Sequence, residues 1–159
     1  MTTENILAAA PVEVPKNGKV TVNYTLKPTG PDQKWAFKDS SGEDAETIHL
    51  QFLGVKDGGT GVSGKATLVI ELVETDLVFA DKQDTADKKY DGMEICGETD
   101  GGTAGIKKAK KMNGSPQFLE IEVEAPGKDA CSFSFKWAAE DASGNLVLSA
   151  DPDMQLDPQ

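Results

Sequence analysis

Apolar and polar residues alternate with a period of two along much of the chain. Val20, Val22, Tyr24 and Leu26 interleave with Lys19, Thr21, Asn23 and Thr25. Ile48, Leu50 and Phe52 interleave with Thr47, His49 and Gln51, and Ala66, Leu68, Ile70 and Leu72 with Lys65, Thr67, Val69 and Glu71. Leu119, Ile121 and Val123 alternate with Glu120, Glu122 and Glu124, and Cys131, Phe133, Phe135 and Trp137 with Ser132, Ser134 and Lys136. Successive strand side chains point to opposite faces, so each run predicts a strand with one buried and one wetted face. Shorter runs predict further strands at residues 12–14, 34–37, 93–96, 106–112 and 145–149. Asn17-Gly18, Asn113-Gly114 and Ser143-Gly144-Asn145 are turn signals between them, and glycine-rich loops fill 57–64 and 100–105. No stretch of about ten residues carries a 3.6-residue apolar stripe. Short helices have candidates only at 5–10 and at the polar segment 81–89.

Half-polar strands suit antiparallel sheets, because parallel sheets are usually covered on both faces and read as continuous apolar runs. Roughly eight to ten such strands predict an all-β fold, an antiparallel two-sheet sandwich of immunoglobulin-like architecture. The immunoglobulin order Cys…Trp…Cys is not met, since Trp137 follows both Cys96 and Cys131. The 159 residues suffice for one domain, 1–159, with 1–11 and 151–159 expected as tails.

Charge narrows the function. There are 27 acidic residues against 16 basic ones, a net charge of −11, and every basic residue is lysine. Arginine supplies the planar fork that grips phosphate and guanine edges, so its absence in an acidic chain argues against nucleic-acid partners. No apolar run approaches the ~18 residues of a membrane-spanning helix. The acidic start and the five-residue apolar run at 6–10 lack the form of a secretory signal. The expectation is a cytoplasmic chain, or a secreted or periplasmic one whose signal peptide was removed.

Candidate chemistry is sparse. Gly59 to Lys65 fits most of a phosphate-binding loop, but Ala66 stands where a magnesium-holding hydroxyl is required, and the next segment reads as a strand. Asp57 and Asp100 open matching Asp-Gly-Gly-Thr loops. With Asp81 and Asp84, three residues apart, they are the candidate calcium ligands, although the EF-hand spacing is absent. No other cofactor is expected. Cys96 and Cys131 are either two buried small hydrophobes or one disulfide, the latter implying an oxidising compartment. Lys107, Lys108, Lys110 and Lys111 form the one concentrated positive run; they suit an anionic partner, a contact with an acidic strand of another copy, or an edge strand protected by lysines. The single histidine, His49, falls on the polar face of its strand, and no Gly-x-Ser-x-Gly elbow accompanies it. Trp35 with Phe37, or Trp137, offers either core packing or a sugar-stacking platform.

The segment Phe133-Ser134-Phe135-Lys136-Trp137, followed by residues 143–150 and Asp151-Pro152, resembles the ending of two small bacterial β-sandwich families. One is named for its Asp-Pro and Glu-Pro motifs, and the other is the inclusion-body protein family. Here the second motif is Asp157-Pro158. The resemblance implies a bacterial β-sandwich without an established activity. Physically, proline removes a ladder donor and keeps the residue before it extended, so Asp-Pro ends a strand.

These observations lead to an expected function: a non-catalytic acidic sandwich acting by protein binding or self-association. The alternatives are a secreted adhesin-like or carbohydrate-binding module, calcium-dependent or not, and a small hydrolase.

Overall fold

The alternating runs become the strands they predict. In this computed structural model, residues 12–45, 47–55, 64–85, 89–98, 105–125, 131–150 and 152–158 are described. Among them are twelve strands: β1 Val12–Val14, β2 Lys19–Lys27, β3 Ala36–Asp39, β4 Thr47–Phe52, β5 Lys65–Leu72, β6 Val78–Phe79, β7 Met93–Glu98, β8 Ile106–Met112, β9 Ser115–Glu124, β10 Cys131–Glu140, β11 Leu146–Leu148 and β12 Asp153–Pro158. In β4 and β5 every second residue is buried, as period-two patterning requires.

The strands form two sheets that stack as a sandwich. One has five strands in the order β3-β2-β5-β9-β8. The other has seven, ordered β1-β4-β12-β10-β11, with β6 and β7 on the far side of β10. The two-sheet all-β architecture is the expected one, but its ladders are mixed rather than wholly antiparallel. β1 with β4, β4 with β12, and β2 with β5 run parallel. The inference from half-polar strands fails here because the chain returns to a parallel partner by way of the opposite sheet. No crossover helix is required, and strands such as β4 and β5 are covered on one face only. A second correction concerns the end of the chain. Residues 153–158, expected as a tail, form β12 between β4 and β10. Met154 and Leu156 are fully buried there. Of the segment expected as a short helix at 81–89, the described residues hold one 3-10 turn, Lys82–Asp84, capped by the Asp81 carboxylate.

Leu26, Leu68, Ile70, Leu119 and Ile121 of one sheet meet Leu50, Phe52, Phe135, Trp137 and Met154 of the other, all without solvent contact or nearly so. An aromatic line crosses this core. Tyr24 stacks on Phe37 at 4.6 Å, Phe37 lies 5.4 Å from Trp137, and Trp137 meets Phe135 edge-on at 4.8 Å. Gly92 is required where it stands: its φ is +71°, and a Cβ there would fall 2.8 Å from Phe79 and 2.9 Å from Leu119.

Both edges of the five-stranded sheet are closed by neighbouring segments. At β3, Ala45 donates to the Phe37 carbonyl and Asp39 N–H to the Glu43 carbonyl. The turn between is held by the Asp39 carboxylate, which accepts the Ser41 hydroxyl and the Ser41 and Glu43 N–H groups. The Ser41 hydroxyl is the main reason the Asp39 carboxyl lies below its ordinary range.

Candidate functional site

The other edge, β8, carries the lysine run. β8 pairs antiparallel with β9, setting Lys108 opposite Glu122 and Lys110 opposite Glu120. A register shift between Ile106 and Lys108 makes Lys107 an extra residue, a bulge at the sheet edge. Of residues 107–110 only Ala109 is buried. The Lys108 ammonium stands 2.9 Å from Glu122 and 3.3 Å from Glu120, and Lys65 reaches Glu122 at 3.4 Å. Hydrogen bonds to Glu122 and then Glu120 raise the Lys108 pKa, and the bond from Lys108 lowers that of Glu122. This cross-strand network lies in water, so it fixes geometry more than it stabilises.

A second segment lies along the free side of β8, and Asp91 attaches it. Asp91 is buried, and its carboxylate accepts the Lys82 N–H at 2.8 Å and the Lys111 N–H at 3.0 Å. Its own N–H donates to the Ala109 carbonyl at 3.1 Å. Asp81, next to the 3-10 turn, reaches the Lys111 ammonium at 3.8 Å. Between this segment and β8 lies a depression of about 500 Å³, lined by Lys82, Lys89, Lys107, Lys108, Lys110 and Lys111 together with Asp81 and Asp91. Six lysines against two aspartates leave four positive charges at the depression; against the total of −11, the rest of the chain carries fifteen negative ones. Among the described residues, ion pairs reach Lys108 and Lys111 but not Lys82, Lys89, Lys107 or Lys110.

The other predicted site residues are dispersed. Asp57 and Asp100 lie outside the described residues. Asp81 accepts the Gln83 N–H, and Asp84 sits in the 3-10 turn. Among the described residues, no three His, Cys, Asp or Glu side chains group as a metal site. Cys96 falls at the bulge opposite Ser134 and Phe135, whereas Cys131 pairs with Leu156. Three residue steps along β10 separate Ser134 from Cys131, roughly 10 Å of strand, and the ladder does not bring the two cysteines opposite each other. The Cys96 thiol donates to the Glu94 carbonyl at 3.5 Å. His49 stands on β4 with Nε2 3.7 Å from the Asp157 carboxylate of β12.

Both tryptophans belong to the core: Trp35 is 3% exposed and Trp137 2%. The Trp35 indole N–H donates to the Gly30 carbonyl at 2.8 Å. A cleft of about 230 Å³ beside them is lined by Trp35, Phe37, Trp137, Lys34 and Asp153. Phe37 and Trp137 pack on each other there, 5.4 Å apart.

The sequence singled out the four β8 lysines as candidates but not Lys82, Lys89 and Asp91, which line the same depression. The only local signal for Asp91 was the Asp91-Gly92 turn ahead of β7. Nothing local showed that this turn lies against β8.

No family model matches this chain, and no curated protein matches it. Among solved structures it is similar to the cysteine protease inhibitor EhICP2 from Entamoeba histolytica. That likeness has 9% identity, covers 88% of this chain and 97% of the other, and has a TM-score of 0.30.

Proposed function

We propose that this sandwich is a non-catalytic binding domain whose contact surface is the lysine-lined depression along β8, and that its partner is an anionic protein surface. The observation that carries the reading is the gathering of six of the sixteen lysines on one concave edge of a chain with a net charge of −11. The scaffold suits such a task, because β8 is held to β9 by its ladder and to the 81–92 segment by Asp91. Four of the lysines have no carboxylate partner among the described residues and present their charge outward. A contact between the lysines of one copy and the glutamates of another is less favoured, because Glu120 and Glu122 are already matched to Lys108 and Lys65 within the molecule.

Cation-exchange chromatography at neutral pH and low salt tests the reading directly. A molecule of this net charge with an effective local patch is retained on immobilised sulfonate and released as salt screens the patch. The variant Lys107→Glu/Lys110→Glu should flow through while unfolding within roughly 0.5 kcal/mol of the parent, as surface changes do. A parent protein that is not retained overturns the reading.

A further inference from the structure

Building on that reading, we infer that the depression takes a short acidic peptide segment, held side-on through its carboxylates. Three observations carry this.

The first is the state of the β8 backbone. The outward Ala109 carbonyl and Lys111 N–H are already bonded to Asp91, and Lys107 sits in a bulge. An incoming strand would find its ladder partners occupied, so strand addition at β8 is blocked and recognition falls to side chains.

The second is size set by charge. The fifteen negative charges outside the depression repel any anion broad enough to reach them, and at physiological salt charges act over about 8 Å. A lipid surface or a nucleic-acid duplex would extend past the depression, whereas a few residues of peptide would not. The volume of about 500 Å³ falls in the ~300–1,000 Å³ range that encloses a small ligand rather than a folded domain.

The third is the placement of the cations. Lys107 and Lys110 come from β8, and Lys82 and Lys89 from the segment attached alongside it. An extended peptide presents successive side chains to opposite sides, so acidic residues along it meet lysines from both elements. Lysine is a point charge on a flexible stem, so each ammonium can reach a separate carboxylate along the peptide. Half-buried Tyr90 and the largely buried Ala109 also line the depression.

The test titrates the full chain by calorimetry with three probes in parallel: an oligoglutamate peptide, inorganic tripolyphosphate, and vesicles of mixed phosphatidylcholine and phosphatidylserine. The peptide should bind and weaken with salt. It should bind roughly tenfold or more weakly to Lys107→Glu/Lys110→Glu, and likewise to Lys82→Glu/Lys89→Glu, with thermal unfolding of both variants unchanged. Binding of tripolyphosphate or vesicles without the peptide overturns the peptide assignment and leaves the anion-binding face intact. Failure of all three probes with a protein that is still retained on sulfonate also overturns the peptide assignment. Failure of all three with no retention removes the proposed function itself. Peptide binding undiminished in both variants places the contact elsewhere and overturns this inference.

Discussion

Two hollows on this molecule show how differently side chains can be employed. Beside Trp35, Phe37 and Trp137 the lining includes three buried aromatic rings, of which Phe37 and Trp137 pack on each other in a tilted pair. Along β8 the lining is cationic, and four of its six lysines lack a carboxylate partner among the described residues. The first hollow has spent its interactions on holding the sheets together. The second retains them, because water solvates an ammonium on a flexible stem at little cost to the fold. The proposed contact surface is thus distinguished by uncommitted charge at a held edge and not by concavity alone.

The comparison is most exposed to failure at Trp137. Trp137→Ala removes the centre of the aromatic line and should cost roughly 3–5 kcal/mol in denaturant unfolding. A loss below about 1 kcal/mol would mean that the aromatic hollow is not structural, and the contrast would fail. Asp91→Ala comes next. It leaves two backbone N–H groups without their carboxylate, an expected cost of roughly 2–4 kcal/mol. It also uncovers the β8 edge, so light scattering should report concentration-dependent association. A variant of parental stability that stays monomeric would show that Asp91 does not hold the segment in place.

The smallest of the three effects sharpens the aromatic side. Burial, assisted by the nearby Asp39 carboxylate, pushes the Tyr24 phenol from 10 up to about 12. The folded state thus favours the protonated ring. That contribution is complete below pH 10 and is lost as pH rises through about 12, an alkaline loss of roughly 2–3 kcal/mol. Tyr24→Phe should remove this limb of the stability curve, as read by denaturant unfolding on either side of it. An unchanged alkaline loss would assign the effect to other groups.

Much of this architecture was legible because most of the strands are covered on one face only. β4, β5 and β8 have the bounds their patterns suggest, and β2 runs one residue further, to Lys27. β10 runs past the predicted Trp137 because Ala138 and Ala139 are both buried, which interrupts the alternation without interrupting the ladder. β12 was obscured by its prolines. Asp151-Pro152 does separate β11 from β12, but the residues after it resume alternation as Met154 and Leu156. Direction of pairing was invisible, since alternation is the same in parallel and antiparallel ladders. At the lysine site, four adjacent lysines were plain in the sequence. The carboxylate that completes the site was not, because Asp91 bonds residues nine and twenty positions away. Such pairings are decided by tertiary packing and leave no local pattern.

The position of β12 has a consequence for biosynthesis. The strand at 153–158 is inserted between one at 47–52 and one beginning at 131, so the larger sheet is joined across its middle by residues synthesised after both of their neighbours. Until residue 158 has emerged, β4 and β10 lack their shared neighbour, and the nascent chain must keep their inward-facing apolar residues from other partners. Such distant pairing slows closure of the sheet and leaves β4 and β10 most vulnerable to aggregation in the interval before β12 joins them.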